Sequence, residues 1–238
     1  MFFRQLFDQE TWTFTYLLGD EGTREAMLID PVVEKMPLYE QLLREYDLKL
    51  IYAIDTHVHA DHVTALGALR ETFGVKTIHG KGSGAACVDR FVEDGEDITF
   101  GAYSLKAIAT PGHTDDSFSY YLEADGKRMV FTGDTMLIRG TGRTDFQNGD
   151  AGEQYDSLFG KLLALPDDTI VFPGHDYKGM HESRIGEEKR FNPRLQVANK
   201  AEYVELMGNL KLANPKFMDV AVPANLTCGK SYTGEYHI

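Results

Sequence analysis

Residues 55–62 read DTHVHADH, which sets three histidines and two carboxylates within eight positions, directly behind the apolar run LKLIYAI. Neutral imidazoles mixed with carboxylates suit Zn, Fe or Mn. The lack of nearby cysteine argues against an iron–sulfur cluster or a structural zinc finger. The arrangement recurs along the chain: LKAIATPG runs into His113, RMVFTG into Asp134 and TIVFPG into His175. Four apolar runs thus each deliver polar side chains at their carboxyl ends, where an α/β sheet presents its ligand site. A single histidine would more often be a hydrogen-bonded or surface residue, but five of them together with Asp134 at four strand ends point to a metal site. His79, His181 and His237 fall outside the pattern and read as structural. Asp55, Asp115 and Asp116 stand close enough in sequence to orient ligand histidines by accepting the second ring N–H.

The elements that must position these groups follow from periodicity. The stretches TWTFTYLL, EAMLID, LKLIYAID, VKTIHG, YSLKAIAT, FSYYLEA, RMVFTGD and TIVFPGHD read as strands. Helical spacing links Leu38, Leu42 and Leu43 behind Pro37, then Val63, Leu66, Leu69 and Phe73, and later Tyr155, Leu158, Leu162 and Leu163. Asp125-Gly126 predicts a tight hairpin between two strands. Pro111-Gly112, Gly133 and Pro173-Gly174 permit the sharp turns that aim the next side chain back over a sheet edge. No GxGxxG opens any helix, and the pattern is an α/β domain of sheets flanked by helices. Beyond about residue 180 the chain turns polar and helix-rich. It then ends in FMDVAVPANLTCG, where Pro223 and Gly229 suggest an ordered irregular segment, and in KSYTGEYHI, which reads as a loose tail.

Composition narrows the partners. The chain has 238 residues, 42% of them hydrophobic, enough for a substantial core. With 24 Lys+Arg against 37 Asp+Glu, a formal charge of −13 opposes general attraction to nucleic acid or anionic lipid. The opening MFFRQLFDQETWTF carries Arg4, Asp8 and Glu10 where a secretory signal would be apolar, and no window approaches a membrane span. Cys87 and Cys228 stand far apart without a CxxC pairing. The expectation is two separate thiols in a reducing, cytoplasmic setting.

At THVHADH, the PGH of Pro111–His113, the TGDT of Thr132–Thr135 and PGHD, the chain resembles the metallo-β-lactamase superfamily over residues 10–180. The resemblance implies an αββα sandwich of two mixed sheets flanked by helices, here a single domain over 1–238 with a short C-terminal extension from about residue 181. In that superfamily His57, His59, His113 and Asp134 would surround one metal, and Asp61, His62, Asp134 and His175 a second. The flanking segments MLIRGTGRTDFQNGD, GHDYKG, EEKRFNPRL and FMDVAVPANLTCGK resemble the persulfide dioxygenases, relatives of glyoxalase II, over nearly the whole chain. Glyoxalase II typically has a lysine–aromatic substrate segment where Arg143-Thr144-Asp145-Phe146 stands here, and a longer helical C-terminal region. Thr141 and Val58 occupy positions where some relatives carry cysteine.

The resemblance implies one Fe(II) per chain held by His57, His113 and Asp134, with His59, Asp61, His62 and His175 in an outer shell. It implies oxidation of glutathione persulfide by O₂ to sulfite and glutathione. Arg139, Arg143 and Tyr177 are the candidates to bind the glutathione carboxylates. A homodimer is expected from the same resemblance. Two further readings stay open: a dinuclear zinc hydrolase of glutathione thioesters, of the glyoxalase II type, and a non-enzymatic metal-binding or redox-sensing module.

Overall fold

The computed structural model describes residues 1–212 and 217–230, and packing divides them into two compact units. The first comprises Met1–Val92, Thr99–Tyr103 and the described residues beyond 216; the second comprises Glu93–Ile98 and Ser104–Leu212.

The first unit is built on a six-stranded mixed sheet. β1 (Phe2–Asp8), β2 (Thr13–Gly19) and β3 (Glu25–Ile29) pair antiparallel. Helix α1 (Met36–Glu45) then leads to β4 (Lys49–Ile54), and α2 (Leu66–Phe73) leads on to β5 (Lys76–Gly80) and β6 (Arg90–Val92), all three of these strands running parallel. Every residue of β2 is buried, the mark of a strand covered on both faces. Leu17, Leu28 and Ala53 of the sheet pack with Tyr39 and Leu43 of α1 and Leu66 and Leu69 of α2. Helix α2 stops at Gly74, whose φ of 68° forms the left-handed cap that a β-carbon would disfavour.

The second unit carries most of the other sheet. β7 (Asp97–Phe100), β8 (Tyr103–Ala109), β9 (Phe118–Ala124) and β10 (Lys127–Gly133) are neighbours in sequence order. After α3 (Ala151–Gly160), β11 (Ile170–Pro173) joins β10 in parallel, and β12 (Ser183–Arg184) closes the edge antiparallel. The predicted hairpin is present: Asp125 and Gly126 both take positive φ, 50° and 73°, between the paired Ala124 and Lys127. Leu158 of α3, Ile185 of α4 (Ile185–Phe191), and Tyr203 and Met207 of α5 (Lys200–Gly208) cover Val130 and Val171 of the sheet. Two mixed sheets with flanking helices make this a metallo-β-lactamase fold. Among the described residues no helix is long and apolar enough to cross a membrane.

Two expectations are corrected. FMDVAVPANLTCG is not irregular throughout: Met218–Asn225 form helix α6 with Pro223 inside it, in a cluster with Val63. Cys87 and Cys228 are not separate thiols. They form a disulfide across 141 residues, with Cα atoms 5.9 Å apart. No local spacing announces that pair, because the turn after α6 is brought to the loop before β6 only by the fold of the first unit. The predicted loose tail, Lys230 excepted, lies outside the described residues, as does His237.

Candidate metal centre

Each unit gathers its own donors. In the first, β4 ends at Ile54 and the chain turns through His57, His59 and His62, all buried. The ring centroids of His57 and His59 are 4.2 Å apart, as are those of His59 and His62. Asp30, the residue after β3, organises this loop. Its carboxylate accepts from Thr56 N at 2.7 Å and Thr56 Oγ1 at 3.0 Å, and lies 3.1 Å from His59 Nε2. Thr56 Oγ1 also sits 3.0 Å from His57 Nδ1. Asp61 lies 2.9 Å from His62 Nδ1 and accepts from Thr13 Oγ1 at 3.0 Å.

Burial alone would depress the His59 imidazole, but Asp30, aided by Asp55 and Asp61, outweighs it and pushes the pKa up to about 9. His59 Nδ1 and His62 Nε2 are buried without a hydrogen-bond partner, and His59, Asp61 and His62 can present one ligand atom each within 4.8 Å of one another. Buried ring nitrogens are ordinarily satisfied. A cation facing this set would satisfy both.

In the second unit, Asp134 is the hub. One oxygen of its carboxylate lies 2.7 Å from His175 Nδ1 and the other 3.6 Å from His113 Nε2. His113 Nδ1 is 2.7 Å from the backbone oxygen of Arg143, so that nitrogen donates and Nε2 is left as the ligand atom. Space around these groups is tight enough to demand glycine. A β-carbon on Gly142 would stand 2.7 Å from His113 Nδ1, and one on Gly174 2.8 Å from Asp134 Oδ1. Both donor sets, histidine nitrogens with carboxylates, fit a divalent iron or zinc ion.

The remaining predicted residues are placed as follows. Arg143 holds Asp145 in a bidentate pair, Nε to Oδ1 2.6 Å and Nη2 to Oδ2 2.7 Å, with its guanidinium 4.2 Å from the centre of the Phe146 ring. That hydrogen bonding holds Asp145 below the usual carboxylate range. Tyr177, 61% exposed, stacks on His175 at 6.0 Å. Arg139 is engaged by the buried Glu188, by Glu187 at 3.0 Å and by Ser183 at 3.1 Å. Asp55 accepts from Thr64, lies 3.6 Å from His79, and its carboxylate falls within 4.8 Å of ligand atoms of Asp30 and His59. Asp115 accepts from Asn148 at 3.0 Å.

Sequence reasoning missed Asp30, although it stands at a strand end like the others. It also missed Asn225 of α6, whose side chain bonds the backbone at His59, His62 and Thr64. No sequence signal marks Asn225.

Comparison with known proteins agrees with this arrangement. The Metallo-beta-lactamase superfamily pattern matches residues 13–175. The chain is 47% identical to the mitochondrial persulfide dioxygenase ETHE1 of Homo sapiens, over 95% of this chain and 88% of that one. A probable hydroxyacylglutathione hydrolase of Schizosaccharomyces pombe is 33% identical over 87% of this chain and 90% of its own. Among solved structures, ETHE1 from Myxococcus xanthus superposes with a TM-score of 0.92 at 52% identity, covering 96% of this chain and all of the other. With its ligand motifs in place and its likeness to the dioxygenases extending far beyond them, the chain belongs to the metallo-beta-lactamase superfamily and, within it, to the persulfide dioxygenase family.

Proposed function

We propose that the chain is an iron-dependent dioxygenase that converts glutathione persulfide, O₂ and water to glutathione and sulfite. The observation that carries this reading is the 47% identity to a persulfide dioxygenase over 95% of the chain, set beside 33% to a hydroxyacylglutathione hydrolase. One Fe(II) per chain would be held by His57, His113 and Asp134, with His59, Asp61, His62 and His175 around them. Two histidines and one carboxylate leave positions open for the persulfide sulfur and O₂, and iron bound there would supply the electrons for oxygen activation. The terminal sulfur gives up four electrons, one O₂ takes them, and water provides the third oxygen of sulfite.

The protein's own part is placement. The Arg143 backbone oxygen holds His113 Nδ1 and so would leave Nε2 for the metal, and the Arg143 guanidinium with Tyr177 would take the glutathione carboxylates. Arg139, the third proposed contact, would have to exchange Glu187 for substrate.

A second reading, a dinuclear zinc hydrolase of glutathione thioesters, is favoured by one observation: the unsatisfied His59 and His62 nitrogens beside Asp61 are a ready second donor set. Metal analysis of protein purified without added metal, followed by oxygen-electrode and sulfite assays with glutathione persulfide, separates the two. One iron per chain and one O₂ consumed per sulfite are expected. Two zincs, hydrolysis of S-lactoylglutathione and no oxygen uptake would overturn the dioxygenase. The proposal includes a homodimer, to be checked by light scattering. It also includes a cytoplasmic location, which cell fractionation distinguishes from the mitochondrial one that the human relative's name carries.

A further inference from the structure

Asn225 is buried in the first unit and spends its whole amide on the histidine loop. Nδ2 donates to the backbone oxygens of His59 at 2.9 Å and His62 at 2.8 Å, while Oδ1 accepts from Thr64 N at 2.9 Å. The loop that presents three histidines is therefore stapled to α6 by one side chain. Helix α6 is eight residues long, contains a proline, and buries few apolar side chains, Ala221 and Ala224 beside Val63. Its carboxyl end is secured by Gly67 N donating to Cys228 O at 2.9 Å, by Ala86 N donating to Leu226 O at 3.2 Å, and covalently by the bond from Cys228 to Cys87. Cys228 is fully buried, whereas Cys87 is half-buried in the loop before β6.

We propose that the Cys87–Cys228 disulfide is a thiol-reducible latch that seats Asn225 on the histidine loop, so that reduction loosens the grip of this loop on its metal. The inference rests on the reading above only in taking the loop to bind metal. The reactant is a low-molecular-weight thiol. Its thiolate attacks the sulfur of Cys87, the more accessible of the two, forming a mixed disulfide, and the electron pair of the broken S–S bond leaves on Cys228. A second thiolate then attacks the sulfur of the small molecule, forming the free disulfide and releasing Cys87. Two small thiols are oxidised to one disulfide, and their two protons end on Cys87 and Cys228. Without the tether, α6 is held by a small apolar cluster and backbone bonds, the condition in which local opening becomes frequent.

The test uses the full chain before and after millimolar glutathione, with hydrogen exchange read at the amides of Thr64 and Gly67 in metal-free protein, and release of loaded Fe(II) to a chelator as a second readout. Reduction should speed exchange at both amides about 10-fold or more, and iron release by about 10- to 100-fold, the range for losing an outer support of a metal site. Cys87→Ser should show the fast rates without glutathione and no longer respond to it. Asn225→Ala should release iron quickly in either state while its disulfide stays intact by mass. Unchanged exchange at Thr64 and Gly67 on reduction would overturn the latch, as would quantitative alkylation of both cysteines in unreduced, denatured protein. Exchange that responds to glutathione in a chain that oxidises no persulfide would leave the latch standing and remove the dioxygenase. Persulfide oxidation with unresponsive exchange would do the reverse.

Discussion

Arg143 faces two ways from one position. Its carbonyl oxygen sets the tautomer of His113, and its guanidinium is held by Asp145 and Phe146. Replacing its side chain would therefore remove the proposed substrate contact while leaving in place the carbonyl that holds His113 Nδ1. Arg143→Ala should keep normal iron content yet lose a charge-assisted contact of about 1.5–3 kcal/mol, roughly 10- to 150-fold in affinity for glutathione persulfide. The parent's preference over a persulfide without the carboxylates should shrink by the same factor, measured as oxygen uptake; an undiminished preference removes Arg143 from carboxylate recognition. His113 and His175 contrast in the same way. His113→Ala should strip most of the bound iron, whereas His175→Ala, which loses the contact to Asp134, should weaken binding by about 10- to 100-fold. Equal loss from both, measured by metal analysis after dialysis, would restore the dinuclear arrangement. At this scale the sequence disclosed the candidate donors because their types are rare and clustered. It did not disclose Asp30 or Asn225, which act by fixing backbone and ring orientation, a role that no residue type advertises.

At the scale of elements, the strands that lead into the candidate ligands were legible because β4, β10 and β11 are apolar runs with turn residues just beyond, and the structure places them on those runs. The strands left unmarked have physical reasons. β6, β7 and β12 are two to four residues long and interrupted by polar residues, unlike the equally short but wholly apolar and buried β11, and β1 is only partly buried at most positions. The Leu162 and Leu163 of the predicted third helix fall in a short 3₁₀ turn after α3. Helix α3 itself matters to the site because it begins where the chain leaves the Arg143 loop. Its N-cap, Asp150, accepts from Glu153 N at 2.8 Å, and its own N–H donates to Gly112 O at 2.9 Å, next to His113. Asp150→Ala should cost about 1 kcal/mol of stability, read as a lower urea midpoint with unchanged slope. If the midpoint does not move, the cap is dispensable.

At the scale of the whole molecule, the pairing of Cys87 with Cys228 is a contact of high sequence separation, which is why composition pointed the wrong way on it. Closing so long a loop restricts the unfolded chain, so reduction should lower stability by about 2–4 kcal/mol in urea unfolding, and equal midpoints for the oxidised and reduced protein would show that the bond contributes nothing. The same long reach governs how the protein is made. The first unit needs residues from both sides of the second unit's sequence, so its sheet can form early in synthesis but its histidine loop cannot be clamped until Asn225 has left the ribosome. Cys228 follows Cys87 by 141 residues, and at 5–20 residues per second that is a wait of about 7 to 30 s. During this interval the nascent chain carries an unclamped cluster of histidines and an unpaired thiol, so the fully supported histidine loop is assembled after translation rather than during it.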